Sequence, residues 1–221
     1  MANPHHYQIV SHWAQGGRRE SLVHFDLATS KLAGLDLLGA NLTLANLKGA
    51  DLQHAYLSGA SLTLANLKEA NFDEAYLTGV DLSGVDLRGA RLAGASLGNA
   101  DLREANLAGA CLSRADLGRA DLREAYLGKA DLRQADLTEA QLAWVDLSGA
   151  SLGEANLQEA DLRGATLWKT YLGGANLSGA DLRETNLNQT YLVRALYTTE
   201  TKWPEGFDPE PAGLIFEPPL I

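Results

Sequence analysis

The sequence predicts an all-β protein in which the chain winds into a parallel β-helix with four sides. Three observations lead to this prediction. Every fifth residue from 27 to 192 is Leu, with Phe72 as the only exception. A small residue, usually Ala, stands two places before most of these positions. A weaker repeat of twenty residues is superimposed on the repeat of five.

A period of five fits neither standard element. Residues five apart on an α-helix differ by about 140° in direction, so the leucines would point all around the cylinder. Side chains of a strand alternate with a period of two, so leucines five apart would alternate between its faces. The chain must therefore turn once per pentad, with the small residue and the Leu pointing inward. The residues expected in this core include Leu102, Leu107, Leu112, Leu117, Leu122 and Phe72.

The outward residues indicate how many sides each coil has. Residues 41–60 match residues 61–80 at 12 of 20 positions, and Leu44 recurs as Leu64. A coil with three sides would repeat every fifteen residues and would align Leu44 with Gly59 instead. Four pentads therefore make one coil, and the run of pentads predicts about 8.5 coils. At a strand spacing of about 4.8 Å, the rod should be about 40 Å long.

The A(D/N)LXX pattern resembles the pentapeptide-repeat family, and the resemblance covers about three quarters of the chain. It implies a right-handed quadrilateral β-helix, the Rfr fold, whose handedness does not follow from the spacing. The segment KWPEGFDPEPAG near the C-terminus is similar to the closing segment of many cyanobacterial members. We therefore expect a cyanobacterial type of repeat protein.

The chain divides into three segments. Residues 1–21 form an N-terminal cap, in which Pro4 to Gln15 should be a short helix with Gly16-Gly17 as its stop. Residues 22–196 form the β-helix, and residues 197–221 form a C-terminal cap or tail that holds five of the six prolines. Both caps should block edge-to-edge association of the open coils.

Composition restricts the partners of the protein. The net charge of −10 disfavours nucleic acid and anionic membranes, and it favours a partner with a basic or apolar protein surface. A single cysteine, Cys111, excludes an intrachain disulfide and favours a reducing compartment. The sequence shows neither a signal-peptide pattern nor a stretch of about 18 apolar residues. These features predict a soluble cytoplasmic protein without direct contact to nucleic acid or membrane.

Charge is distributed unevenly over the four sides. In chain order, we call them face 1 (with 101–105), face 2 (with 66–70), face 3 (with 71–75) and face 4 (with 116–120). Face 1 carries eight acids and four arginines, and face 4 carries five acids and one base, so each has a net charge of −4. Face 2 has a net charge of +1, and face 3 has none. Because faces 1 and 4 adjoin, one half of the rod is predicted to be acidic.

The acidic half has two interpretations. It could be a solvated surface whose stacked coils pair their own charges, as 101–105 could with 121–125. Such exposed pairs contribute only about 0–1 kcal/mol each. It could instead meet a basic partner, and then Glu104, Glu124 and Glu184 are candidate contacts.

Outward apolar residues are the other binding candidates. Trp144, Trp168 and Tyr171 could share one ridge, and Trp and Tyr are favoured anchors of interfaces. The alternative is that each ring lies flat over small neighbours, as Trp144 could over Gly164, one coil further on. A second outward apolar pair is formed by Leu44 and Leu64.

Signals for catalysis are missing from the sequence. No nucleophile elbow, phosphate loop, zinc spacing or paired-carboxylate motif is present, so we expect no enzyme, no cofactor and no metal site. Cys111 lies near Arg91 and Arg114, which would favour its thiolate, but its role is open. We expect a protein-binding scaffold or regulatory module whose partner is unknown. The alternative implied by the family is a DNA mimic that binds a type II topoisomerase, gyrase. A purely structural protein without a specific partner is a further possibility.

Overall fold

The computed structural model describes residues 3–16 and 21–218. Helix α1 spans Pro4–Ala14. The Asn3 side chain caps it by accepting a hydrogen bond of 3.0 Å from the His5 backbone N–H. Gly16 follows in the left-handed region, at φ 83°. The predicted short helix is confirmed and ends one residue earlier than expected. Gly17, predicted as part of the stop, and residues 219–221 of the predicted tail lie outside the described residues.

Helix α1 packs on the first coil. Val10 and Trp13 are buried in the same apolar cluster as Leu22. The imidazole Nδ1 of His6 accepts a hydrogen bond of 2.9 Å from the Asp26 backbone N–H, and its ring stacks on Phe25 with centroids 4.3 Å apart. Helix α1 thus supplies an acceptor for a backbone N–H at the end of the β-helix. This N–H has no coil before it to pair with, and a backbone donor left unpaired at such an edge is unfavourable.

The coils are joined by parallel bridges between residues twenty apart, such as Asp101 with Asp121. The Leu102 N–H donates to the Asp121 carbonyl at 2.7 Å, and the Asp121 N–H donates to the Ala100 carbonyl at 2.9 Å. Pentads four places apart along the chain therefore stack directly on one another. Each side of the β-helix contributes only a short extended segment. The coils are therefore joined by isolated β-bridges rather than by long strands.

Each pentad ends in the same turn. In the pentad 101–105, the Ala105 N–H donates to the Leu102 carbonyl at 3.1 Å, and Glu104 at position four has φ 58°. Every fifth residue from 24 to 194 shares this positive φ, whether it is Gly or not. No described residue at position three, the second residue of this turn, has a positive φ, and a positive φ at the third residue alone is typical of type II. The turn points positions two and five inward.

Leu and Ala fill the interior, and Phe72 is 1% exposed. The leucines at the centre of the chain are at most 1% exposed. These are Leu102, Leu107, Leu112, Leu117 and Leu122. The inside of the rod is uniform in composition, so any recognition depends on the outward positions.

The last coil leaves the regular register. Asp181 bridges Lys202, which is twenty-one residues further on. Two short strands, β1 (Leu196–Tyr197) and β2 (Ile215–Phe216), pair in parallel, and a 3₁₀ helix (Glu210–Ala212) lies between them. Trp203 contacts the rings of Tyr197 and Phe207. The segment after the repeats thus folds back onto the final coil. In the described ranges, no helix is long and apolar enough to cross a membrane.

Candidate protein-binding face

One column of side chains runs along face 1 at position four of its pentads. The parallel bridges stack these pentads at intervals of twenty residues. The column therefore contains Leu44, Leu64, Gly84, Glu104, Glu124, Trp144, Gly164 and Glu184. The leucines, the glutamates and Trp144 are separate candidates in the sequence-based prediction. The structure brings them together in one line, which the period of twenty already implied.

Side chains at position four lean toward the next coil. A Cβ atom added to Gly174 would lie 3.5 Å from Cγ of Glu154, and one added to Gly94 would lie 3.5 Å from Cγ of Glu74. Successive members of a position-four column therefore approach one another. On face 1, the Glu124 side chain therefore leans toward Trp144, which stands at the same position of the next coil.

The arginines of face 1 pair with the aspartate of their own pentad. Arg103 donates to both carboxylate oxygens of Asp101, at 2.9 and 2.6 Å. The same bidentate pair recurs in the other DLR pentads of this face, at 121/123, 161/163 and 181/183. Hydrogen bonds from Arg103 hold the pKa of Asp101 below its usual value.

This pairing differs from the pairing between coils that the sequence suggested. The contact of Arg103 with the next coil is longer, at 3.7 Å between Nε and Oδ2 of Asp121. Two residues of one extended segment point to the same side of the chain, so Asp at position one and Arg at position three meet directly. Among the described residues, the acids of face 1 without an ion pair are therefore Asp81 and the three glutamates at position four, Glu104, Glu124 and Glu184.

The indole ring of Trp144 lies over Gly164 and remains 60% exposed. A Cβ atom at Gly164 would come within 2.7 Å of Cδ2 of Trp144. The flat arrangement considered from the sequence is therefore present on one side of the ring. The exposed remainder is still large enough to contact a partner.

Trp168 and Tyr171 lie on other faces. Trp168 belongs to face 2, where the ammonium of Lys169 stands 4.2 Å from its ring centroid. Tyr171 belongs to face 3 and stacks on Tyr191 with centroids 4.7 Å apart. Among the described residues, no ring pairing joins Trp144, Trp168 and Tyr171 to one another. The three rings are spread over three consecutive faces, and Trp144 alone of them stands in the acidic half.

Tyr126 is a neighbour of Trp144 that sequence reasoning did not single out. A surface depression of about 480 Å³ is lined by Glu124, Ala125, Tyr126, Trp144 and Asp146. Tyr126 stands on face 2, just around the corner from Glu124, and is 54% exposed. The period of twenty could have located it, because Glu124 and Tyr126 lie one coil below Trp144 and Asp146.

The two carboxylates of this depression have no ion pair within residues 3–16 and 21–218. Asp146 accepts a hydrogen bond of 2.9 Å from the Ser148 backbone N–H through Oδ1. Arg123, the arginine beside Glu124 in the chain, is engaged with Asp121. The depression therefore combines two exposed aromatic rings with two uncompensated negative charges.

Leu44 and Leu64 begin the same column and are 42% and 62% exposed. Leu38 on face 4 is also half-exposed, and the Tyr56 and Tyr76 rings of the same face stack with centroids 4.8 Å apart. In the first coils, the exposed surface of faces 1 and 4 is thus mostly apolar. Most of the negative charge of these two faces lies from Asp81 onward.

Polar side chains surround Cys111, but the two arginines among them are engaged with other residues. Its sulfur lies 3.5 Å from the Ser113 hydroxyl. Arg91 pairs with Asp73, and Nε of Arg114 donates to Gln134. The described part of the chain contains no group of three or more His, Cys, Asp or Glu side chains placed to hold a metal ion.

Comparison with known proteins identifies the repeat. The model of the pentapeptide repeats family matches eight copies, over residues 45–84, 81–119, 115–153 and 155–192. None of the curated proteins matches the chain.

Three solved structures illustrate the similarity. HetL, a pentapeptide repeat protein involved in heterocyst differentiation regulation from the cyanobacterium Nostoc sp. strain PCC 7120, is 31% identical over 82% of this chain and 90% of its own, with a TM-score of 0.42. QnrB1, a plasmid-mediated fluoroquinolone resistance protein, is 17% identical over 88% and 91%, with a TM-score of 0.49. A pentapeptide repeat protein from the Arabidopsis thaliana thylakoid lumen is 34% identical over 48% and 71%, with a TM-score of 0.37.

The family match covers more than half of the chain, and the bridges between residues twenty apart agree with it. The chain belongs to the pentapeptide-repeat family.

Proposed function

We propose that the protein is a non-enzymatic binding module that holds another protein against the acidic half of a rigid rod. Its role would be that of a scaffold or regulator in the cytoplasm. The observation that carries the proposal is the face 1 column, in which the exposed ring of Trp144 stands between the unpaired carboxylates of Glu124 and Glu184. We further propose the right-handed sense and about 8.5 coils that the family resemblance and the repeat count imply.

The charge pattern favours a basic protein partner. Because Arg103 and its equivalents are engaged by aspartates, the three glutamates at position four project most of the net charge of the face. Projecting charge of one sign steers a partner of opposite charge and selects against others. Trp144 supplies the large, stiff contact surface that usually anchors an interface. The apolar first coils, around Leu44 and Leu64, extend the surface that such a partner would cover.

The alternative is a DNA mimic that binds a type II topoisomerase such as gyrase. Faces 1 and 4 together carry thirteen acids, of which five pair with arginine in the described part of the chain, so eight have no arginine partner there. Duplex DNA carries one charge per about 1.7 Å, or about two dozen over an expected rod length of about 40 Å. The density of unpaired negative charge along the rod is roughly a third of that of DNA, which favours a binding module over a DNA mimic.

Capture experiments with a matched pair of variants test the proposal. The test variant combines Glu104→Gln, Glu124→Gln and Glu184→Gln. The control combines Glu69→Gln, Glu74→Gln and Glu154→Gln, which removes the same charge from the same turn position on faces 2 and 3. The variants and the unchanged protein are immobilised and exposed to lysate at low salt.

A specific partner should be held by the unchanged protein and the control but not by the test variant. Capture should also weaken as salt rises, because exposed charges are screened. Equal capture by both variants, or no capture at low salt, would contradict the proposal. If the captured protein is a topoisomerase whose supercoiling activity the rod inhibits at micromolar concentration, the DNA-mimic alternative replaces it.

A further inference from the structure

We propose that the depression between Trp144 and Tyr126 receives one arginine side chain of the partner protein. This inference rests on the proposed function and specifies the partner's chemistry at the edge of the acidic half. The depression measures about 480 Å³ and is formed by side chains of two successive coils at the corner between faces 1 and 2.

The two rings supply walls that favour a cation. Trp144 is 60% exposed and Tyr126 is 54% exposed, although both are large apolar side chains. The face of an aromatic ring is negative, and it attracts a cation that lies within about 6 Å of its centroid. Contact with Gly164 restricts the Trp144 ring on one side, which leaves its remaining surface as a pre-positioned wall.

Trp168 provides an example of an outward tryptophan ring that binds a cation of the same chain. The Lys169 ammonium stands 4.2 Å from the Trp168 centroid, so this ring is already occupied by the chain itself. Within the described residues, no Lys or Arg stands over Trp144. The two outward tryptophans therefore differ in the property that the proposal needs, and Trp168 serves as an internal control.

The carboxylates of Glu124 and Asp146 give the depression its charge. Neither has an ion pair among the described residues, whereas Asp121 in the pentad of Glu124 is neutralised by Arg123. One oxygen of Asp146, Oδ1, accepts from the Ser148 N–H, which leaves Oδ2 available. A planar guanidinium can stack on an aromatic ring and donate to a carboxylate at the same time, while the ammonium of lysine is a compact, more strongly hydrated charge. Arginine therefore fits this combination better than lysine.

The shape of the depression favours an arginine within a protein over a free small molecule. Small-molecule sites usually enclose most of their ligand, whereas this depression lies open at a corner of the rod. A partner that also contacts the acidic column would gain additional surface and would present the arginine at high local concentration. The inference therefore concerns one anchoring residue of a larger basic surface.

The test uses N-acetyl-arginine N-methylamide as the probe and ¹⁵N-labelled full-length protein. The indole N–H signal of Trp144 is assigned by its loss in Trp144→Phe and is followed during the titration. We expect a saturable shift at Trp144 with the arginine probe, a smaller one with the lysine analogue, and none with the citrulline analogue, which keeps the shape without the charge. Glu124→Gln should weaken the apparent Kd about threefold to tenfold, the range of one exposed charge or cation–π contact.

Glu104→Gln is the matched control, because it removes a carboxylate of the same column that does not line the depression. It should leave the apparent Kd within about twofold of the unchanged protein, because an exposed carboxylate that does not line the depression makes no direct contact with the probe. Equal shifts with arginine and citrulline, or equal losses in Glu124→Gln and Glu104→Gln, would overturn the inference. A shift of Trp168 as large as that of Trp144 would do the same.

The two proposals can fail separately. If a captured partner requires the acidic column but the probe leaves Trp144 unmoved, the arginine site is wrong and the binding module stands. If the probe shifts Trp144 and no partner is captured, the site stands as a cation receptor and the proposed function falls.

Discussion

The indole ring of Trp144 lies directly against the backbone of Gly164, its neighbour one coil further along face 1. Both residues have positive φ, at 62° and 64°. The turn does not require Gly at position 164, because Glu104 and Glu124 adopt the same conformation in the same column. The ring requires it, since any Cβ atom there would overlap the indole.

This contact leads to a prediction for Gly164→Ala. The new methyl group should displace the Trp144 ring, so the indole N–H signal should move. The free energy of unfolding should fall by more than the roughly 1–2 kcal/mol that a non-glycine residue loses in the left-handed region. Urea unfolding and the ¹⁵N spectrum measure the two effects.

Gly84→Ala is the matched control for that experiment. Gly84 stands in the same column at the same φ of 64°, and a Cβ atom there would meet nothing within 4 Å. Both variants carry the same backbone strain, so their difference reports the ring contact. In the background Trp144→Ala the two variants should become equal, and a difference that persists there would show that the contact is unimportant.

A second prediction concerns the aspartate–arginine pairs at low pH. Hydrogen bonds from Arg133 hold the pKa of Asp131 below its usual value. The unfolded chain therefore takes up this proton at a higher pH than the folded one does. The stability contributed by the pair should be fully present above about pH 5 and should be lost as the pH falls through the lowered pKa of the folded state.

Asp131→Asn should flatten the fall in stability between about pH 5 and pH 2 in urea titrations. Asn can still accept the hydrogen bond from the Arg133 backbone N–H, so the change removes the charge and leaves the local turn intact. Arg133→Gln should flatten the curve as well, and the double variant should add little. Asp36→Asn, at a carboxylate without an ion pair among the described residues, should change the curve less. An effect of Asp36→Asn as large as that of Asp131→Asn would contradict the assignment.

A third prediction concerns the N-terminal cap. His6→Ala should free the Asp26 N–H, which now donates to the imidazole, and should remove the stack on Phe25. We expect hydrogen exchange at the Asp26 amide to accelerate and α1 to detach more often from the first coil, because end coils have a neighbour on one side only.

His5→Ala is the control for the cap, since the neighbouring His5 is exposed and its imidazole has no hydrogen bond to the first coil in the described residues. It should leave the Asp26 amide as slow as in the unchanged protein. Exchange at an amide in the central coils, such as that of Leu102, should be unchanged in both variants. Equal acceleration by His5→Ala and His6→Ala would contradict the role of the imidazole.

Much of the candidate site was predictable because the repeat has no insertions from 27 to 192. Counting in twenties is then sufficient to stack Glu104, Glu124 and Trp144, although the separate reading of charges and aromatics missed their common column. The pairing of Arg103 with Asp101 was harder to predict. Arg103 lies close to carboxylates of its own pentad and of the next coil, and only side-chain geometry decides between them. The same limit applies to Trp168, whose neighbour Lys169 could have pointed elsewhere.

The amino-acid sequence alone determined that the chain turns once per pentad, because only such a path buries a Leu at every fifth position. The recurrence of outward residues after twenty positions determined that four pentads make one coil. The sequence also determined which half of the rod is acidic. The tertiary structure decided the type II turn at each corner, the lean of position-four side chains toward the next coil and the neutralisation of arginines within their pentads. The reason is that buried residues recur at a fixed interval along the chain, so the sequence shows their period directly. Which group an exposed side chain pairs with depends instead on distances between coils and around corners. Those distances also show that Tyr126 and Trp144, which the period of twenty places on successive coils, line one depression.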